Sequence, residues 1–128
     1  MTAVKTVLIV DDEPSVLRVA SKVLRRDGYE ILEALSGDEA LRMAAEHDGD
    51  IHLLLTDVVM PGLGGRELGA RFREQHPSTA LLFMSGYPED EVLLQGVRVA
   101  EVNYISKPFT VAGLRDKVRD VLNGASGA

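Results

Sequence analysis

Five polar residues that could take part in metal or phosphoryl chemistry lie at or just after the ends of short apolar runs. Three carry carboxylates, one a hydroxyl and one an amine: Asp11, Asp12, Asp57, Ser85 and Lys107. Carboxylates gathered in one place repel each other unless a cation joins them, and an all-oxygen site selects a hard cation, Mg²⁺ or Mn²⁺. A carboxylate in such a site can attack phosphorus and form an aspartyl-phosphate.

The elements that must position these residues alternate along the chain. Apolar runs predict five strands, at 7–10, 29–34, 51–56, 80–84 and 102–105. Amphipathic stretches after each run predict five helices. Gly28 is expected to end the first helix, and Ser36 and Glu39 form a capping box that begins the second. Leu68 and Phe72 supply the apolar face of the third helix. Pro88 is expected to begin the fourth helix, and Thr110 to cap the fifth. One of Asp11 and Asp12 is also expected to cap the first helix.

Five strand–helix units predict an α/β fold with a parallel sheet between two layers of helices. Right-handed crossovers and short loops favour the flavodoxin-like (βα)5 arrangement, with strand order 2-1-3-4-5. We expect residues 1–123 to form this domain and 124–128 a flexible tail. Because ligands bind at the carboxyl ends of parallel strands, the five polar residues should meet at one edge of the sheet.

Composition excludes several classes of function. The 128 residues suffice for one domain, and 45% hydrophobic with 27% charged residues is typical of a globular chain. The chain has no cysteine, so disulfides and thiolate sites are excluded, which is compatible with the cytoplasm. A net charge of −6 argues against direct nucleic-acid binding. No apolar stretch approaches the ~18–20 residues that span a bilayer, so no direct membrane partner is expected.

The five polar residues, in this order and at these strand ends, resemble the receiver domains of two-component response regulators. The resemblance covers residues 5–122. The stretches LLTDVVMPG at 54–62, FMSGY at 83–87 and KPF at 107–109 are especially similar to receivers attached to hybrid sensor histidine kinases. Gly64 departs from the pattern, since many relatives have there a small polar residue able to cap the third helix.

The resemblance implies a role for each site residue. Asp57 would accept a phosphoryl group from the phosphohistidine of a histidine kinase or its phosphotransfer domain. Asp12 and Asp57 would coordinate Mg²⁺ together with the main-chain carbonyl of Val59, while Asp11 would orient or hold a metal-bound water. Ser85 and Lys107 would each bind a phosphoryl oxygen, and the Lys107–Pro108 peptide bond would be cis.

The resemblance also implies a switch rather than an enzyme acting on other molecules. Ser85 would report phosphorylation, and Tyr104 would turn inward in response. The face that changes would consist of the fourth predicted helix, the fifth strand and the fifth predicted helix. A downstream protein target and a phosphorylation-dependent dimer are the expected partners of this face.

Three other functions fit parts of the pattern. A haloacid-dehalogenase-type phosphatase also uses an aspartyl nucleophile, but it requires a second Asp two residues later, where this chain has Val59. A flavin-binding electron carrier shares the predicted fold, but no Ser/Thr/Gly-rich phosphate loop follows the first strand. A phosphate-independent, receiver-like interaction module is the remaining alternative, against which the acidic pocket and Lys107 weigh. Whether the chain acts alone or belongs to a hybrid kinase stays open.

Overall fold

The computed structural model describes residues 4–86 and 103–124. These residues form five strands: β1 Thr6–Val10, β2 Glu30–Ala34, β3 Leu53–Asp57, β4 Ala80–Ser85 and β5 Tyr104–Ser106. They also form four helices: α1 Pro14–Arg26, α2 Gly37–Glu46, α3 Gly65–Gln75 and α4 Val111–Leu122. The helix predicted from Pro88 lies outside the described residues, as does most of the tail predicted at 124–128. The boundary between domain and tail stays a prediction.

All strand pairs are parallel, and the strand order is β2-β1-β3-β4-β5. The predicted flavodoxin-like α/β fold is therefore confirmed. β1 and β3 lie at the centre of the sheet, and every residue in both is buried. Strands covered on both faces need continuous apolar sequence, which explains why TVLIV and LLLTD show no polar alternation.

Two apolar cores form because successive strand residues point to opposite faces of the sheet. Val7 and Ile9 pack in one core with residues of α1 and α4. Leu8 and Val10 pack in the other with residues of α2 and α3. Burial of each such side chain contributes roughly 1.5–3 kcal/mol. The two cores pack the sheet between the helix layers and so set the relative positions of the strand ends at its carboxyl edge.

The helix ends agree with most of the local signals in the sequence. Gly28 follows α1 with a φ of +96°, a left-handed conformation that favours glycine. The Ser36 hydroxyl accepts from the Glu39 N–H at 3.1 Å, and the Glu39 carboxylate accepts from the Leu35 N–H at 2.7 Å. The Thr110 hydroxyl accepts from the Gly113 N–H at 2.9 Å. These hydrogen bonds at the starts of α2 and α4 satisfy backbone N–H groups that have no partner within the helix.

The prediction that Asp11 or Asp12 caps α1 is wrong. Glu13 is the N-cap residue, and its side chain makes no capping hydrogen bond. The Asp11 carboxylate instead accepts from the Glu13 N–H at 2.9 Å, one residue before the helix begins. This bond leaves the other oxygen of Asp11 facing the sheet edge.

None of the helices in the described ranges is long and apolar enough to cross a membrane.

Candidate functional site

The carboxyl edge of the sheet carries the polar residues singled out in the sequence. A cleft of about 410 Å³ opens there between the loops that follow β1, β3, β4 and β5. Its described lining residues are Asp12, Glu13, Asp57, Val58, Val59, Ser85, Gly86 and Lys107. Asp11 is fully buried beside this cleft and contacts Lys107. The parallel sheet therefore brings six of the seven predicted site residues together, and Tyr104 is the exception.

Lys107 lies among the acidic side chains at this edge and contacts three of them. Its Nζ lies 2.8 Å from Asp11 Oδ2, 3.0 Å from Asp57 Oδ2 and 3.6 Å from Glu13 Oε1. Burial alone would lower the pKa of the Lys107 ammonium. The hydrogen bonds and charges of Asp11 and Asp57 outweigh burial and hold that pKa above its ordinary value. Lys107 therefore stays positively charged in the cleft.

Asp57 lies at the end of β3 and is 7% exposed. Burial raises the pKa of its carboxyl group above the ordinary value, and the charge of Asp11 adds to the rise. The hydrogen bond from Lys107 opposes this rise, as does the Val59 N–H, which lies 3.4 Å from Asp57 Oδ1. Asp57 thus lines the cleft, and the effect of burial outweighs the two hydrogen bonds, so that the pKa of its carboxyl group stays above the ordinary value.

The donor set fits a hard divalent cation. Asp11, Asp12 and Asp57 each offer a carboxylate oxygen, and the three oxygens lie within 4.8 Å of one another. Such oxygen ligands suit Mg²⁺ or Mn²⁺ rather than a softer metal. Val59 lines the same cleft and is 51% exposed. The role of its carbonyl as a further ligand stays a prediction.

Ser85 and Tyr104 lie on neighbouring strands at different depths. Ser85 ends β4, is 1% exposed, and its carbonyl accepts from the Lys107 N–H at 2.7 Å. Tyr104 is half-buried opposite Phe83, two residues further from the cleft. Because side chains two apart on a strand share a face, Tyr104 lies on the sheet face that Ser85 occupies. The Lys107–Pro108 peptide bond is cis, as the resemblance implied.

Glu13 is the cleft residue that the sequence patterns missed. It follows the acidic pair directly, and no motif in the sequence predicts a role for it, although its carboxylate approaches Lys107 from the start of α1. A third consecutive acidic residue at a strand end was the available signal. Its contact partner lies 94 positions later in the sequence (107 against 13), so no local spacing could identify it.

Gly65 shapes the loop that follows Asp57. Its N–H donates to the Val58 carbonyl at 2.9 Å, and a Cβ at this position would collide with the Asp57 carbonyl oxygen. A backbone oxygen cannot rotate away as a side chain can, so the loop would have to shift. Gly64 before it serves as the N-cap of α3 without a side-chain bond, as its departure from the family pattern indicated.

We expect Gly65→Ala to lower the free energy of unfolding by about 1–3 kcal/mol, because the added methyl group forces the Asp57 loop away from α3. Gly64→Ser is the matched control: its Cβ would meet only the Val58 carbonyl, at 3.4 Å, and its hydroxyl could cap the helix. Urea unfolding measures both variants. Equal stability of Gly65→Ala and the wild-type protein would contradict this close approach.

The raised pKa of Asp57 predicts an effect on stability without metal. A carboxyl group whose pKa rises on folding stabilises the fold when protonated, and this contribution is lost as the pH rises through the folded-state pKa. In EDTA at neutral pH, Asp57→Asn should therefore unfold at a higher urea concentration than the wild-type protein. The difference should shrink as the pH falls and Asp57 itself becomes neutral. A less stable variant at neutral pH would contradict the prediction.

Comparison with known proteins identifies the family. The family described as response regulator receiver domain matches residues 7–119. The chain is 36% identical to Sensor kinase CckA of Brucella abortus over 91% of this chain and 12% of that protein. It is 30% identical to the transcriptional regulatory protein PhoP of Bacillus subtilis over 92% of this chain and 48% of that protein.

Solved structures agree with these sequence relatives. The crystal structure of the receiver domain from hybrid histidine kinase CckA superposes with a TM-score of 0.77 at 37% identity, covering 91% of this chain and 98% of that one. A receiver domain from Clostridium thermocellum gives a TM-score of 0.81 at 27% identity, covering 95% and 97%. The chain spans about half or less of the length of the two full-length relatives, Sensor kinase CckA and PhoP. On the family match and these relatives, the chain belongs to the response regulator receiver domains of two-component systems.

Proposed function

We propose that this receiver accepts a phosphoryl group on Asp57 from the phosphohistidine of a histidine kinase or its phosphotransfer domain, in a reaction that requires Mg²⁺. The observation that carries the proposal is the position of Asp57. Its Oδ2 lies 3.0 Å from Lys107 Nζ, and its carboxylate belongs to the three-carboxylate cluster at the cleft. A nucleophile, a fixed cation and a place for a second cation are the parts that phosphoryl transfer to a carboxylate needs.

The proposed reaction makes one bond and breaks another. A carboxylate oxygen of Asp57 attacks phosphorus, and the P–N bond to the donor histidine breaks, leaving an acyl phosphate on Asp57 and a neutral imidazole after protonation. Lys107 stays charged and stabilises the oxygens of the transferring group. A bound Mg²⁺ would neutralise further negative charge on those oxygens. Asp11 and Asp12 would hold it with Asp57.

Phosphorylation would act on the rest of the domain through β4 and β5. The Ser85 hydroxyl would bond a phosphoryl oxygen, and movement of Ser85 would open space for Tyr104 on the same face of the sheet. This is a shift between two packings of one face, formed by β5, α4 and the helix predicted for residues beyond 86. A downstream protein or a second phosphorylated copy would recognise the altered face.

A surface beside the cleft supports a protein as phosphodonor. An apolar groove of about 390 Å³ lies between the start of α1 and the loop after β5. Its lining includes Val16, Val19, Pro108 and Phe109, and Val19 is 52% exposed. Lys107 lines both this groove and the cleft. A kinase helix packed there would bring its phosphohistidine to Asp57. Because the kinase derives its phosphoryl group from ATP, the cytoplasm is the proposed location.

Incubation with acetyl phosphate and Mg²⁺, followed by intact-mass measurement, tests the proposal. We expect the mass to increase by one phosphoryl group with Mg²⁺ and to stay unchanged in EDTA. A protein that folds and binds Mg²⁺ but never gains mass would contradict phosphotransfer to Asp57. It would favour the alternative of a phosphate-independent interaction module.

A further inference from the structure

The mouth of the cleft carries a negative charge that neither the metal site nor the phosphoacceptor requires. Glu13 lines the cleft, its side chain is 61% exposed, and its Oε1 lies 3.6 Å from Lys107 Nζ. The backbone of Glu13 is fixed on both sides. Its N–H donates to Asp11 Oδ1 at 2.9 Å, and its carbonyl accepts from the Leu17 N–H at 3.1 Å. The carboxylate is thus held within reach of Lys107, the group that would receive a phosphoryl oxygen.

Charge at the cleft is unbalanced even before any phosphodonor arrives. In the part of the site that the structure describes, three carboxylates contact the ammonium of Lys107: Asp11, Glu13 and Asp57. A carboxylate oxygen of Asp12, the fourth, lies within 4.8 Å of oxygens of Asp11 and Asp57. A divalent cation among the aspartates would still leave negative charge in excess. Glu13 stands outermost of the three carboxylates that contact Lys107, since Asp11 is fully buried and Asp57 is 7% exposed. An incoming phosphoanion therefore meets Glu13 first and competes with it for Lys107.

We infer that Glu13 is a specificity-determining residue, whose carboxylate disfavours small free phosphoanions as phosphodonors. The inference rests on the proposed phosphorylation of Asp57. A small anion has nothing but the cleft to bind, so repulsion by Glu13 reduces its rate directly. A protein donor also binds outside the cleft, for example at the groove containing Val19 and Phe109, and those contacts offset the repulsion.

The exposure of Glu13 makes this role easy to separate from folding. Its side chain makes no capping bond to α1, and an exposed ion pair contributes little to stability. Glu13→Gln keeps the length and polarity of the side chain and removes the charge alone. Glu46→Gln makes the same change in net charge at the exposed last residue of α2, which is not among the residues that line the cleft. Equal thermal melting of the two variants and the wild-type protein verifies the fold.

The experiment measures second-order rate constants for labelling of Asp57 by two small donors in Mg²⁺. Acetyl phosphate is a dianion at neutral pH, and phosphoramidate carries a net charge of −1. Attack of Asp57 on acetyl phosphate breaks the bond between phosphorus and the acetate oxygen, and acetate leaves with the electron pair. In phosphoramidate the P–N bond breaks, and ammonia leaves.

For Glu13→Gln at low ionic strength, we expect a roughly three- to tenfold faster reaction with acetyl phosphate. The gain with phosphoramidate should be about the square root of that factor, because its charge is half as large. Both gains should fall toward one at about 1 M salt, where charges are screened within ~3 Å. Glu46→Gln should label at the wild-type rate with both donors.

The outcomes separate this inference from the proposed function. A wild-type protein that labels, with a Glu13→Gln variant no faster than it at low salt, would overturn the role of Glu13 alone. Equal gains for the two donors would also overturn it, since the effect would then be steric. If neither the wild-type protein nor Glu13→Gln is labelled by either donor, the proposed function is wrong and the inference falls with it.

Discussion

Asp57→Asn should show no mass increase at all when incubated with acetyl phosphate and Mg²⁺. The substitution removes the nucleophile and keeps an oxygen that can accept a hydrogen bond from Lys107. The other carboxylates cannot replace it. Asp11 is fully buried, with one oxygen bonded to the Glu13 N–H and the other 2.8 Å from Lys107 Nζ. Within the three-carboxylate cluster, Asp57 is thus the residue that both lines the cleft and contacts Lys107.

Asp50→Asn is a suitable control for this loss. Asp50 is exposed in the loop before β3, at the opposite edge of the sheet from the cleft. Its variant should label as fast and as completely as the wild-type protein, which excludes a general effect of one lost carboxylate. Undiminished labelling of Asp57→Asn would show that another residue accepts the phosphoryl group.

Much of the fold was predictable because each strand is marked by a contiguous apolar run. Right-handed crossovers and short loops favour the strand order 2-1-3-4-5, and the parallel arrangement predicts the edge where the polar residues meet. Strand ends were less predictable, since they depend on hydrogen bonds to distant residues. The apolar run predicts that Tyr29 belongs to the second strand, but its N–H donates to the Leu24 carbonyl and closes α1, so β2 begins at Glu30.

The end of the last strand also differs from the prediction, because the strand continues beyond the apolar run. It was predicted to end at Ile105, but pairing continues through Ser106, which lies opposite Ser85. The Lys107 N–H then donates to the Ser85 carbonyl, extending the contact by one residue. A polar serine at a strand end carries no apolar signal, although its backbone bonds position Lys107 for the cleft.

Within the site, the sequence identified most of the residues that take part but not all of the contacts among them. The acidic residues and Lys107 were identifiable because charges at strand ends are costly unless they serve a site. The close approach of Gly65 to the Asp57 carbonyl and of Glu13 to Lys107 depends on how loops from separate strands pack. Neither contact has a local periodicity, so three-dimensional structure was needed to find them.

Metal binding should depend strongly on Asp12, although this residue makes little contribution to the fold. Asp12 is exposed at the cleft, and its carboxylate completes the cluster with Asp11 and Asp57. Replacement by alanine removes one ligand and part of the charge that attracts a cation. Loss of a group that hydrogen-bonds a metal ligand typically lowers metal affinity 10–100-fold. Because Asp12 would be a ligand itself, we expect Asp12→Ala to weaken Mg²⁺ binding by at least about tenfold.

A thermal or urea unfolding series with and without Mg²⁺ measures this effect. Binding to the folded state stabilises it by RT ln(1 + [L]/Kd), which is about 2.7 kcal/mol at a Mg²⁺ concentration of 100 times Kd. At the same concentration, a 100-fold weaker site would give only about 0.4 kcal/mol. Asp48→Ala, in the exposed loop before β3, should keep the full wild-type response. Without Mg²⁺, Asp12→Ala should be at least as stable as the wild-type protein, because removal of one carboxylate relieves repulsion with Asp11 and Asp57. An equal Mg²⁺ response in Asp12→Ala and the wild-type protein would mean that the cation binds elsewhere on the domain.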